Sequence, residues 1–351
     1  MGMRIATLAV MAGLAWLGAL PAVAQTPVPT RYSKLTVFGD SLVDAGNAQE
    51  GRRRTGGADP TPPALGYADG RFTNGLTFAD YLSVDLGLGT TRAALLGGGN
   101  FAVGGAKASG TGSPSLSFGE QVASFAGTGQ RFGADELVLV TFGGNDLRDE
   151  LFAFAKTGGA DAVDLRPATD ALTSGLGLLG ALGARNFVVV GLPDIGQIPE
   201  VTGNGALPPN GFASAQSRAL NDLFRIEAGA LAGSNGWNLG FYDLYNQQRT
   251  IYADPAGYGL PSALNTSNAC LRQSGAAPAC TGYVYFDDIH PTTALHSAIA
   301  QGIERLGVVA PALVTSAVPE PSTWVAMVLG FGVVGSAMRR RRTAGALATA
   351  V

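Results

Sequence analysis

The sequence predicts an α/β protein, a three-layer α/β/α sandwich around a central parallel sheet of about five strands. Three observations carry this. Short apolar runs bounded by turn residues recur along the chain. Helical patterns lie between them, and strands alternating with helices imply a parallel sheet covered on both faces. No internal repeat appears, which leaves one domain between residues 25 and 317.

The elements follow in order. Residues 34–39 (KLTVFG) read as a buried strand, 137–142 (LVLVTF) as a second, 186–191 (NFVVVG) as a third and 238–243 (NLGFYD) as a fourth. Residues 101–103 supply a short fifth. Segment 48–70 breaks the pattern with Arg52, Arg53, Arg54, two glycines and Pro60, Pro62 and Pro63, and reads as a mobile surface loop whose arginines form a solvated charge run. Residues 76–86 place Phe78, Tyr81, Leu82 and Leu86 at helical spacing. Ser117 and Glu120 have capping-box spacing ahead of Val122 and Phe125. Residues 167–184 are Leu/Ala/Gly-rich. Residues 212–231 align Leu220, Leu223, Phe224 and Leu231 on one face, and Pro291 suits the first position of a last helix reaching about residue 306. In such a sheet ligands bind beyond the carboxyl ends of the strands, so chemical residues are expected directly after them.

With 46% hydrophobic and 14% charged residues, the 351-residue chain can bury a full core, and a domain that buries its own core is expected to be a monomer. A net charge of −3 gives no electrostatic basis for nucleic-acid binding.

Both ends read as sorting signals. Arg4, an apolar stretch over about 5–20 and Ala22-Val23-Ala24 form a secretory signal peptide over 1–24, with cleavage before Gln25. Cys270 and Cys280 have nine residues between them, and in an exported chain they are expected to form a disulfide. At the other end Val318-Pro319-Glu320-Pro321-Ser322 precedes an apolar run over 324–338 and then Arg339 to Arg342. That run is short for a bilayer span, and the arginines suit a cytoplasmic end, leaving 343–351 as a cytoplasmic tail. The arrangement over 318–342 resembles the PEP-CTERM tail of Gram-negative bacteria. That resemblance implies export across the inner membrane, transient anchoring, processing near Pro-Glu-Pro by an exosortase-type enzyme, and release to the cell surface or beyond.

Only two histidines exist. His290 lies in Phe286-Asp287-Asp288-Ile289-His290-Pro291. A carboxylate three residues before a histidine reaches its ring if the segment turns, and Asp287 or Asp288 could do so. Ser41 follows Val37-Phe38-Gly39-Asp40 at the end of the first strand, where Gly39 permits a tight turn and nearby backbone N–H groups suit an oxyanion. The serine is not in a G-x-S-x-G elbow, since position 43 is valine. No Walker loop, H-E-x-x-H or complete G-x-G-x-x-G occurs.

Four ordered blocks together resemble the GDSL, or SGNH, hydrolases: Val37 to Asn47, Asn100 to Ala106, Thr141 to Asp146 and Asp287 to Thr292. Gly70-Arg71-Phe72-Thr73-Asn74-Gly75, residues 192–196 and residues 252–259 add secondary matches, so the resemblance covers about 34–306. It implies a flavodoxin-like SGNH hydrolase fold and a serine esterase or lipase. Ser41 would be the nucleophile, His290 the general base and Asp287 its orienting carboxylate. The oxyanion hole would combine the backbone N–H groups of Ser41 and Gly105 with the side-chain amide of Asn145. Asp40, Asp44 and Asn47 would tie the first loop together, and Asp146 would cap the following helix. Such acyl transfer requires no metal or organic cofactor. The implied substrates are lipid, short-chain acyl or acetylated polysaccharide esters, with acyl transfer to another alcohol, or a non-catalytic matrix role, as alternatives.

Overall fold

The computed structural model describes residues 25–309 except 27, 30, 111–114, 204–207 and 275–279. The signal segment 1–24 and the whole tail from 310 lie outside the described residues, and so do the apolar runs 5–20 and 324–338. Among the described residues no helix is long and apolar enough to cross a membrane.

In chain order the elements are β1 Lys34–Gly39, α1 Asn47–Thr55, α2 Phe78–Asp85, α3 Phe118–Gly127, β2 Glu136–Thr141, α4 Gly144–Lys156, α5 Arg166–Ala181 and β3 Asn186–Val190. There follow α6 Pro199–Thr202, α7 Asn210–Asn235, β4 Asn238–Tyr242, α8 Leu244–Ala253, β5 Asn265–Ala269, α9 Cys270–Ser274, β6 Tyr283–Tyr285 and α10 Thr293–Glu304. The sheet is parallel in the order β1-β2-β3-β4, with Lys34 opposite Glu136, Leu137 opposite Asn186, and Asn186 opposite Asn238.

This sheet has four strands where the sequence suggested about five. Residues 101–103 form no strand, but they run along the outer edge of β1: Phe101 N–H donates to Val37 O (2.7 Å) and Val103 N–H to Gly39 O (3.1 Å). Counted as a fifth station, the segment completes the order 2-1-3-4-5 of flavodoxin-like sheets. Two spaced hydrogen bonds to β1, with a single bridge from Asn100 to Ala93 on the other side, are too few for a regular ladder.

Helices cover both faces. On β4, Phe241 lies beside Asn221 of α7, while Gly240 and Tyr242 face Leu306 and α10. The layer with α7 contains α5 and α3; the other contains α2, α10 and α8. The sheet core is nearly all Val, Leu and Phe, as a sheet buried on both faces requires. Phe38 stacks on Phe101 (5.4 Å) and meets Phe125 edge-on (6.0 Å), locking β1 to its edge segment and to α3.

Local chemistry sets several boundaries. Ser117 and Glu120 form the expected capping box at α3, and Thr77 and Asp80 form another at α2. Asp80 also takes a bidentate pair from Arg71 (2.7 and 2.9 Å). Burial pushes the Asp80 carboxyl up, and Arg71 more than offsets this and holds it below its ordinary value. Pro291 is not the first residue of α10. It forms an antiparallel bridge with Tyr285, and Thr292 caps the helix instead. Segment 48–70 is not simply a loop, since α1 and a 3-10 turn at Pro63–Leu65 occupy much of it. Arg52, Arg53 and Arg54 fall in the last turn of α1, where cations suit the helix dipole, and Glu50 pairs with the latter two.

Cys270 and Cys280 are bonded and pack with Phe286. Closing a loop of this size stabilises by about 2–3 kcal/mol through the unfolded chain. The Cys270→Ser/Cys280→Ser protein should therefore melt about 5 °C lower. Thermal unfolding with and without reductant checks this; an unchanged midpoint would mean that the bond carries no stability.

Candidate active site

The segment after β6 makes a closed turn. Phe286 N–H donates to His290 O (2.8 Å), and Thr292 N–H donates to Val284 O (2.9 Å). Inside the turn Asp287 Oδ1 accepts from the backbone N–H groups of Ile289 (2.9 Å) and His290 (2.7 Å). These bonds aim the carboxylate at the imidazole of its own turn: His290 Nδ1 lies 2.8 Å from Asp287 Oδ2 and 2.9 Å from Oδ1. With that proton on Nδ1, Nε2 is an acceptor, and it lies 2.8 Å from Ser41 Oγ. The structure thus brings Ser41, His290 and Asp287 into one hydrogen-bonded chain across 249 residues of sequence. Asp288, the adjacent carboxylate, turns away to pair with Arg272 (2.5 Å).

Burial pushes the Asp287 carboxyl up. The imidazole beside it and the two backbone donors outweigh that and hold it below its ordinary value. His296, the other histidine, stands apart. It is buried against Phe78, its Nδ1 accepts from Phe78 N–H (3.2 Å), and burial pushes it down to about 3, so it is a neutral core residue.

Ser41 follows β1 on a turn fixed by Asp40, whose Oδ1 accepts from Leu42 N–H (3.0 Å). Burial pushes the Asp40 carboxyl up to about 7, against the lowering effect of that bond and of the nearby imidazole. Asp44 accepts from Gly46, Asn47, Ala48 and Gly104, and Asn47 donates to the carbonyls of Asn100 and Ala102. The first loop is therefore sewn to the segment carrying the two glycines.

That stitching separates the glycines. Gly104 N–H is occupied by Asp44 Oδ2 (2.8 Å), and a Cβ there would meet Phe72 at 2.3 Å. Gly105 sits at φ +79°, which favours glycine, and its N–H donates to no acceptor among the described residues. The N–H of Ser41 is equally unengaged. Gly143, at φ +103°, turns the chain from β2 into α4 and sets Asn145 in the first turn. Asn145 Nδ2 donates one proton to Ala106 O (2.8 Å) and keeps the other, while Arg148 Nη1 donates to Asn145 Oδ1 (3.0 Å). Ser41, Asn145, Arg148, Ile195, Ile198 and Ile289 share one pocket.

Asp146 does not cap α4. Its carboxylate accepts from the backbone of Ala108 and Ser109 and from the Ser109 hydroxyl, pinning the loop after the glycines. Three contacts escaped the sequence reading. Tyr67 donates to Asp287 Oδ2 (2.8 Å), Phe72 lies 5.1 Å from the His290 ring, and Arg148 is held by a bidentate pair with Glu200 (2.7 Å each). Arg148 was open to inference, lying one helical turn after Asn145. Phe72 stands in a block noted only for its resemblance.

Comparison with known proteins adds the following. The family model described as GDSL-like Lipase/Acylhydrolase matches residues 35–303, and the PEP-CTERM protein-sorting motif matches residues 317–342. Thermolabile hemolysin of Vibrio parahaemolyticus is 26% identical over 293 residues, covering 78% of this chain but only 63% of the hemolysin. Phosphatidylcholine-sterol acyltransferase of Aeromonas hydrophila is 26% identical over 318 residues, covering 77% of this chain and 88% of that protein. Among solved structures, the acetylxylan esterase Axe2 from Geobacillus stearothermophilus, as a catalytic mutant, aligns over 78% of this chain and 94% of its own at 13% identity and a TM-score of 0.41.

Proposed function

The chain belongs to the GDSL-like lipase/acylhydrolase family of carboxylic ester hydrolases, and from that premise we propose an exported serine esterase working through an acyl-enzyme. The observation that carries this is the acceptor nitrogen of His290, 2.8 Å from Ser41 Oγ, on a ring whose other nitrogen Asp287 holds. Ser41 Oγ attacks the ester carbonyl as its proton passes to His290 Nε2. The new imidazolium is stabilised by Asp287. The tetrahedral oxyanion is met by the free N–H groups of Ser41 and Gly105 and by the second amide proton of Asn145. Collapse expels the alcohol, which takes the proton from His290, and water repeats the sequence on the acyl-enzyme.

Turnover of p-nitrophenyl acetate, butyrate and palmitate by residues 25–317 tests the reading. A folded protein inert on all three would count against it. Asn145→Ala should lower kcat by about 100–1,000-fold with KM little changed, because the amide serves a charge present only in the transition state. A fall in kcat/KM through KM alone would remove Asn145 from the oxyanion hole.

The PEP-CTERM motif marks the chain for export and sorting in a Gram-negative cell. We read residues 1–24 as the cleaved signal, 25–317 as the hydrolase, 318–342 as a transient anchor cut near Pro319-Glu320-Pro321, and 343–351 as its cytoplasmic end. Transfer of the acyl group to an alcohol other than water is a second reading, favoured by the similarity to an acyltransferase. Ester product formed on adding an acceptor alcohol distinguishes it from hydrolysis.

A further inference from the structure

The carboxyl edge of the sheet does not end at the serine. The order β1-β2-β3-β4 sets the segments after each strand side by side. Ser41 follows β1, Asn145 follows β2, Asp194 follows β3, and α8 with Gln248 and Arg249 follows β4. Strands in a sheet lie about 4.8 Å apart, so the last two stations stand roughly 10–15 Å from the first. There the surface opens into a cleft of about 410 Å³ lined by Asp194, Gln197, Ser214, Gln248, Arg249 and Thr266 together with two tyrosines. The cleft and the serine pocket share a wall, since Pro193 and Ile195 line the pocket and Asp194 between them lines the cleft.

Some polar groups of this cleft are held by their neighbours, Gln248 by Asp194, Tyr252 and Tyr285, and others are unspent. Asp194 is buried, and its Oδ1 accepts from Gly196 N–H (3.0 Å) and the Ser214 hydroxyl (2.6 Å), while its own N–H donates to Gln248 Oε1 (3.1 Å). Arg249 and Gln197 are exposed, and their side chains form no hydrogen bond or ion pair among the described residues. The Arg249 charge acts on the Asp194 carboxyl without the two closing into an ion pair. A hydroxyl group entering there can donate to the carboxylate and accept from the guanidinium at once.

We propose that this cleft is a glycan subsite, holding a neutral polyhydroxylated chain whose O-acyl group is presented to Ser41. The proposal rests on the ester-hydrolase reading and names its substrate class. Hydroxyls both donate and accept, and the cleft offers the second oxygen of the Asp194 carboxylate, the Arg249 guanidinium and the Gln197 amide. An alkyl chain would leave those groups unsatisfied, at a penalty for each. An anionic headgroup would meet Asp194. A quaternary ammonium would gain only the half-buried Tyr252 ring, since Tyr245 is buried, and would meet the unpaired Arg249 charge. The distance from Ser41 suits a short oligosaccharide rather than a single small ester.

The test compares the purified protein with an Arg249→Ala/Gln197→Ala double variant. The substrates are partially O-acetylated xylo-, manno- and gluco-oligosaccharides, p-nitrophenyl acetate and phosphatidylcholine vesicles. Both residues are exposed and stand outside the Ser41–His290–Asp287 chain and the oxyanion donors that a small ester uses. The double variant should keep kcat/KM for p-nitrophenyl acetate within about twofold, and lose at least about tenfold on one or more acetylated oligosaccharides, chiefly through KM. Equal losses on both substrates, or none on any glycan, overturn the proposal. So does turnover of p-nitrophenyl acetate with no glycan deacetylated, or a loss confined to phosphatidylcholine. If the unaltered protein does not hydrolyse p-nitrophenyl acetate, the ester-hydrolase reading itself fails and takes the glycan subsite with it.

Discussion

Ser41→Ala is expected to lower kcat for p-nitrophenyl acetate by about 10⁴–10⁶-fold while the protein stays folded. The size follows from what the hydroxyl does. Oγ is the atom that would form the acyl bond, and its hydrogen bond to His290 Nε2 is the route by which its proton would leave. Without it, the imidazole can activate only a water, which is neither held at the carbonyl nor converted to a covalent intermediate. The free N–H groups of Ser41 and Gly105 and the amide of Asn145 remain, so a residual rate above that in water should persist. The change in stability should be small. Ser41 lines the pocket, and serine to alanine removes a single buried hydroxyl with little change in volume. Steady-state kinetics with thermal unfolding of the same preparation give both quantities. Full activity in the variant would rule out the serine mechanism, whatever the hydrogen-bond geometry.

How much of this was legible in the sequence depends on how local each feature is. Strand β1 spans the predicted residues 34–39, because an apolar run ending in Gly-Asp carries its own boundary. The capping box at Ser117 and the turn that folds Asp287 onto His290 are written within four residues each. The serine-histidine contact joins segments far apart, and only the ordered blocks, taken as a resemblance, brought them together. Where the reading failed, a partner that composition does not reveal decided. Pro291 looked like a helix start, but its pairing with Tyr285 across the turn belongs to β6. Segment 48–70 looked like a loop for its prolines and glycines. Its first part is α1 because Asp44 meets the free N–H groups of Asn47 and Ala48, and Glu50 gathers two arginines. Tyr67 carries no local mark at all: its importance comes from Asp287, 220 residues away.

The carboxylate beside His290 makes a sharper claim than the serine. Asp287→Asn removes one charge and keeps the shape, and kcat should still fall by about 10³–10⁴-fold. The reason lies in the donors that surround it. Oδ1 accepts from two backbone N–H groups, those of Ile289 and His290, which cannot turn away. An asparagine must therefore place its carbonyl oxygen there, and its NH₂ takes the position of Oδ2, 2.8 Å from His290 Nδ1. That NH₂ donates to the ring, so Nδ1 becomes the acceptor and the proton moves to Nε2. The imidazole would then donate to Ser41 Oγ instead of accepting from it, and the general base is lost although every heavy atom stays near its place. Tyr67, whose hydroxyl donates to Oδ2, would also face a donor and have to rotate. Because Asp287 is held below its ordinary value in the fold, it contributes stability above the pKa of an unfolded aspartate, and this is lost as pH falls through its folded value. The asparagine variant should therefore lose that part of the acid sensitivity of unfolding while remaining nearly inactive near neutral pH. Paired pH profiles of kcat and of thermal stability read both effects, and an Asp287→Asn protein as active as the parent would show that His290 does not depend on this carboxylate for its tautomer.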